Sequence, residues 1–174
     1  MNRRGAVLGA VAATAVVAGV GAGIWRGRSG PDAPTPGPDL WTLTFATVDG
    51  PRQAMSALRG RRLLVNFWAT WCPPCVTEMP LLDAFAREQA DAGWSVLALA
   101  IDTAEPVRRF IAERSLKLPV ALAGEDGVDL SRRLGNIAGG LPFSVAFDRQ
   151  GAPAQRKLGA IDASLLRTWA ASPG

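Results

Sequence analysis

The rhythm of apolar and polar positions changes several times along this chain, and each change predicts an element. Leu40-Trp41-Thr42-Leu43-Thr44-Phe45 largely alternates, which predicts a half-buried strand, and Asp49-Gly50 marks the turn after it. Leu63 to Trp68 is almost continuously apolar, as in a strand buried on both faces. Pro73 to Ala92 then carries Met79, Leu82, Phe85 and Ala86 at helical spacing. Trp94 to Ile101 reads as a second buried strand, and Glu105 to Ser115 as an amphipathic helix with Val107, Phe110 and Ile111 inward. Next come a short strand at Val120–Ala123 and a short helix at Val128–Leu134. Phe143–Phe147 is another strand, Gln150-Gly151 a turn, and Gln155–Ile161 its antiparallel neighbour. A helix over Ala163–Ala171 closes the chain. No internal repeat is visible. Strands alternating with helices, then a terminal hairpin and helix, predict an α/β sandwich around a mixed sheet.

The first 38 residues have another texture. An uncharged run from Gly5 to Trp25 sits between Arg3-Arg4 and Arg26-Gly27-Arg28. As a helix it would span roughly 31 Å, about one bilayer core. Residues 1–26 are therefore expected to be an uncleaved transmembrane anchor or a signal peptide, of general or twin-arginine type. Each of these would export the remainder of the chain. Residues 27–38, with Pro31, Pro34, Pro36 and Pro38, read as a Pro/Gly-rich tether, and residues 39–174 as the working domain.

Charge sharpens this division. The chain carries 19 Lys and Arg against 15 Asp and Glu, a net +4. Arg3, Arg4, Arg26 and Arg28 account for the whole excess, so the domain is neutral and a nucleic-acid partner is not expected. There is no histidine, which excludes a histidine triad, histidine metal ligands and a CxxCH haem attachment. Two cysteines alone cannot build a four-cysteine zinc site. No metal and no cofactor is expected.

What remains is Trp71-Cys72-Pro73-Pro74-Cys75, placed where the strand ending at Trp68 meets the helix beginning at Pro73. Two residues between the cysteines, in a first helical turn, let the sulfurs close a small disulfide ring. The first sulfur then lies at the helix N-terminus, where unpaired N–H groups and the helix dipole favour a thiolate, the attacking species in exchange. Cys75, one turn further in, is expected to be more buried and to resolve. Pro73 suits the first turn, yet both prolines also remove donors that could hold the thiolate. The alternatives are a structural disulfide, a pair of core thiols, or copper binding with Met55 or Met79.

Asn66-Phe67-Trp68-Ala69-Thr70-Trp71-Cys72-Pro73-Pro74-Cys75, followed by Glu78-Met79-Pro80, resembles the thioredoxin superfamily. More narrowly it resembles the TlpA/ResA-like, membrane-tethered thiol-disulfide oxidoreductases of bacteria, over roughly residues 40–170. The resemblance implies an α/β thioredoxin fold, a mixed central β-sheet sandwiched by helices, with an N-terminal β-hairpin extension. It also implies a place on the periplasmic face of the inner membrane and disulfide reduction, often during cytochrome c maturation. Gly140-Leu141-Pro142 matches the loop whose proline is cis, which would leave the Leu141 backbone free to pair with a substrate strand. Glu78 matches an active-site glutamate that tunes the thiols or relays a proton; the bland alternative is an acid satisfying the helix dipole. Trp71 is expected to offer a flat contact surface beside the thiols, Trp68 to be core, and Pro80 to kink its helix. Two departures stand out. Asn66 replaces a buried Asp common in thioredoxins, so the Cys75 proton must pass to Glu78 or water. Phe143 replaces a small polar residue, and its ring is expected to alter the shape offered to substrate.

The leading expectation is a protein-disulfide reductase, with Cys72 as nucleophile and Cys75 resolving. Its partners would be protein disulfides and a membrane thiol donor protein that recharges it, reached by a monomeric soluble domain held at the membrane through its N-terminal segment. The alternatives are a thiol oxidase of the same fold and a non-catalytic thiol- or copper-binding module. A peroxidase is disfavoured, because the pair lacks a Thr-x-x-Cys context.

Overall fold

A computed structural model describes residues 39–172. They belong to the second of two units, Gly37–Gly174. The expected anchor or signal segment and the tether lie outside the described residues. No helix among the described residues is long and apolar enough to cross a membrane.

The centre of the fold is β3 (Arg62–Trp68), the apolar run that leads into the cysteines. It pairs in parallel with β4 (Trp94–Ala100), and β4 pairs in parallel with β5 (Val120–Leu122). Parallel neighbours need crossovers. These are helix α1 (Pro73–Glu88) between β3 and β4, and helix α2 (Ala104–Arg114) between β4 and β5. Helix α3 (Asp126–Arg133) leads to β6 (Phe143–Phe147), antiparallel to β3, and β7 (Pro153–Leu158) returns beside β6. Helix α4 (Ala163–Ala171) ends the chain. On the far side, β1 (Thr44–Thr47) pairs antiparallel with β5 and with β2 (Gln53–Ala54), the expected N-terminal hairpin. The seven strands lie in the order β2-β1-β5-β4-β3-β6-β7.

The pleat explains why β3 and β4 are apolar throughout. Leu64 and Trp68 face one layer with Met79, Leu82, Phe85, Phe110, Leu166 and Trp169. Leu63, Val65 and Phe67 face the other, with Leu40, Trp41, Met55, Leu130, Phe143 and Phe147. Both faces are covered, so neither face can be polar.

Several element limits differ from the sequence reading. Leu40–Thr42 is a 3₁₀ turn and the strand starts only at Thr44. The Asp39 side chain accepts from Trp41 N, and the turn buries Leu40 and Trp41 together, which strand alternation would not allow. Helix α1 stops at Glu88, because the chain reverses through Gly93 at φ 85° to start β4. Pro80 lies inside α1. Helix α3 begins two residues earlier than expected, at Asp126. β7 runs from Pro153 to Leu158, not Gln155 to Ile161. Gly159, at φ 87°, ends the strand, and the Ile161 N–H is taken by the Glu78 side chain instead.

Candidate active site

Cys72 occupies the N-cap of α1, at the end of the loop that leaves β3. Asp102, just after β4, holds that loop: its Oδ2 accepts from Thr70 N at 3.0 Å and Thr70 Oγ1 at 2.6 Å. Its Oδ1 accepts from Thr103 N at 2.7 Å. A carboxylate was needed here because one acceptor serves several donors from two loops. Sequence reading passes over Asp102, since a lone Asp after a strand offers no signal that would single it out.

Cys72 and Cys75 are joined in a disulfide with Cα atoms 5.3 Å apart. Cys75 is fully buried and Cys72 nearly so, at 5 % exposure, whereas Trp71 is 66 % exposed. The Cys72 side chain accepts no backbone N–H at the helix start, and both following residues are prolines. A groove of about 420 Å³ opens beside Cys72. Trp71, Cys72, Pro73 and Pro74 form one wall; Val128, Gly139, Gly140 and Leu141 face them, and Ile101 also lines it. No charged side chain lines it. The Leu141–Pro142 peptide is cis, as the resemblance implied. Pro142 is buried, and its carbonyl accepts from Gly159 N at 2.8 Å.

Glu78 follows Cys75 by one turn, which puts both on one face of α1. It is 3 % exposed. Its Oε1 accepts from Asn66 Nδ2 at 2.8 Å and its Oε2 from Ile161 N at 2.7 Å. The dipole alternative is therefore corrected: the carboxyl serves β3 and the loop before α4, not its own helix start. Burial pushes its pKa up from 4.5, against the opposing pull of the Ile161 N–H and the Asn66 amide. Asn66 also donates to Ser144 Oγ at 3.0 Å, tying β6 into the same buried network. A second groove, about 490 Å³, passes Glu78 between Pro74, Thr77 and Leu81 on one side and Ala160 to Ala163 on the other.

The site residues predicted from sequence thus fall into three places. Trp71, Cys72 and Leu141 share the first groove, and Glu78 borders the second. Cys75 and Pro142 are sealed behind them. Phe143 does not belong with them. It is 2 % exposed, and its ring lies 6.0 Å from that of Phe67 in the apolar layer on the face opposite the cysteines. Its predicted effect on substrate shape is corrected by the pleat, which turns the residue after Pro142 into the core. Met55 lies in that same opposite layer, out of reach of the cysteine pair. Among the described residues no three His, Cys, Asp or Glu side chains cluster as metal ligands.

A CxxC disulfide at a helix start, facing a cis-proline loop across a groove beside a mixed sheet, defines a thioredoxin-like disulfide-exchange protein. The Redoxin family model matches residues 29–170, and the chain belongs to that family. It is 31% identical over 125 residues to the thiol-disulfide oxidoreductase ResA of Bacillus cereus, covering 71% of this chain and 69% of that one. It is also 32% identical over 104 residues to the thioredoxin-like protein YneN of Bacillus subtilis, covering 58% of this chain and 55% of the other. Among solved structures, the thioredoxin-related protein of Neisseria meningitidis serogroup B aligns with TM-score 0.64 at 26% identity, over 72% of this chain and 95% of that one. StoA of Bacillus subtilis shares the fold, with TM-score 0.61 at 22% identity, over 73% and 94%. The protein is a thiol-disulfide oxidoreductase of the TlpA/ResA-like group.

Proposed function

We propose that this oxidoreductase is a dithiol reductase of protein disulfides working outside the cytoplasm. The Cys72 thiolate attacks one sulfur of the substrate disulfide, forming a mixed disulfide and releasing a substrate thiolate. Cys75 loses its proton and attacks Cys72 Sγ, which closes the internal disulfide and frees the second substrate thiolate. Two electrons pass to the substrate, and its two thiolates take up protons. Glu78, on the Cys75 face of α1, or water takes the Cys75 proton, since the Asn66 amide cannot. Trp71 and the Leu141 backbone offer the substrate a flat contact and a strand edge.

The direction rests on one observation: beyond the dipole of its helix, little is arranged to hold a Cys72 thiolate. Pro73 and Pro74 have no N–H to offer, and the groove at Cys72 has no cationic lining. Strong oxidants of this fold owe their power to a stabilised reduced form. Without that stabilisation the disulfide is the favoured state, and the dithiol is a good electron donor. The only two cysteines are spent in one turnover, so an external thiol donor, here taken to be a membrane protein, must restore the dithiol. The Arg-flanked apolar run at the N-terminus supports the extracytoplasmic placement and an attachment to the membrane. The resemblance to ResA-like proteins supports cytochrome c maturation as the setting.

Equilibration with a dithiol buffer is expected to give a reduction potential nearer the roughly −270 mV of thioredoxins than the roughly −120 mV of strong periplasmic oxidants. A value at the oxidising end would reverse the assigned direction. Cys75→Ser is expected to accumulate substrates as mixed disulfides on Cys72, and their identity names the pathway. If Cys72→Ser accumulates them equally well, the assignment of nucleophile and resolver fails.

A further inference from the structure

The Gly140 carbonyl, one residue before the cis Leu141–Pro142 bond, has a dedicated partner. Asn136 Nδ2 donates to it at 2.8 Å, and the same nitrogen donates to Ser131 Oγ at 3.1 Å. Ser131 Oγ donates onward to Val128 O at 2.8 Å. The backbone reinforces the arrangement: Asn136 N donates to Ser131 O at 3.0 Å, and Gly139 N to Asn136 O at 2.8 Å. These bonds join Val128 of α3 to Gly140 of the loop, and both residues line the groove wall that faces Cys72. Ser131 and Asn136 themselves are buried, at 0 % and 2 % exposure, and do not line the groove.

The amide satisfies the loop at a cost. Gly140 O can only accept, so the nitrogen must face it. That leaves Asn136 Oδ1 buried with no hydrogen-bond partner. An unpaired buried acceptor costs free energy, which offsets part of what the bonds to Gly140 O and Ser131 Oγ contribute. An apolar side chain, however, cannot fix the Gly140 peptide plane. The loop needs fixing, since Gly139 stands at φ 67° and two adjacent glycines leave the backbone free to turn.

We infer that Asn136, braced by Ser131, is a positioning residue for the protein substrate: it orients the Gly140-Leu141 backbone so that an extended substrate strand can pair beside Cys72. The inference rests on disulfide exchange at Cys72 as proposed above. Backbone pairing matters for a polypeptide substrate and not for a small disulfide that only has to reach the sulfur. Asn136 therefore acts on recognition and leaves the intrinsic reactivity of Cys72 alone.

The test uses single-turnover exchange by the full-length protein, with insulin and with dithiobis-nitrobenzoate, at increasing concentrations of each. In Asn136→Ala the half-saturating insulin concentration is expected to rise about tenfold, the size of effect that losing one such hydrogen bond gives. Ser131→Ala, which keeps the amide but removes its brace, is expected to raise it about threefold. The limiting rate with insulin and the rate with dithiobis-nitrobenzoate should stay within about twofold of wild type. Unchanged half-saturation in both variants overturns the inference, as does a parallel loss with both reagents, which is what general loosening would produce. If Asn136→Ala does not fold, Ser131→Ala decides alone by the same criteria. A wild type that exchanges with insulin only as an oxidant ends the reductase reading, and the variant ratios are then read with reduced insulin as donor. A wild type inert toward insulin in both directions overturns both.

Discussion

Glu78 is a buried carboxyl group one turn beyond Cys75, held by one side-chain amide and one backbone N–H. Because burial raises its pKa above 4.5, the folded protein binds this proton more tightly than the unfolded chain does. The resulting stabilisation is complete below the unfolded value and is lost as pH rises through the raised folded value. Glu78→Gln removes the titration while keeping the shape, and the Asn66 amide can turn to present its otherwise unpaired Oδ1 to the new donor. Denaturant midpoints measured from about pH 4 to 8 are therefore expected to fall with pH in the wild type relative to the variant. A wild type that instead gained stability relative to the variant would show that the hydrogen bonds outweigh burial. Glu78 could be picked out in the sequence by its place after Cys75, but its partners could not. Asn66 and Ile161 lie 12 and 83 residues away, and only folding brings them together.

Among the elements, α1 carries the cysteines and is fixed by a second buried carboxylate. Asp83, 8 % exposed, accepts through Oδ1 from Lys117 N at 2.7 Å and Leu118 N at 2.8 Å, which anchors the loop leading to β5. Asp83→Ala leaves two backbone donors without their acceptor, and a loss of about 2–4 kcal/mol in unfolding free energy is expected from chemical denaturation. A loss under about 0.5 kcal/mol would mean that water replaces the carboxylate without penalty. Helix α3 is set by close approach. A Cβ at Gly127 would lie 2.7 Å from Ala123 Cβ and 2.8 Å from Ile101 Cγ1. Gly127→Ala must therefore lift α3, with Val128 in the groove wall, away from Ile101 and Ala123, and about 1–3 kcal/mol of destabilisation is expected in the same measurement. Periodicity located both helices. It could not report the anchor or the close approach, because the elements they join are far apart in sequence.

At the scale of the whole molecule, the redox state and the stability of the fold are coupled. The disulfide closes a very short loop, so its entropic effect on the unfolded chain is only about 2 kcal/mol. The two apolar layers hold the sheet in either state. If the reduced form has little to hold its thiolate, the oxidised protein is the more stable one, and its melting temperature is expected to exceed that of the dithiol form. The opposite order would mark an oxidant, by the same thermodynamic cycle. The sequence alone determined much of this. Continuous apolar runs predict strands covered on both faces, helical spacing predicts the crossovers, and a CxxC at a strand-to-helix junction points to thiol chemistry, because these patterns are local and periodic. The four flanking arginines likewise assign the net charge to the N-terminal segment rather than to the domain. Tertiary structure alone decided that Phe143 is core, that Glu78 serves Asn66 and Ile161, and that Asn136 braces the loop facing Cys72. Each depends on which distant residues meet when β6 and α3 pack against β3 and α1, and no local pattern in the chain encodes those meetings.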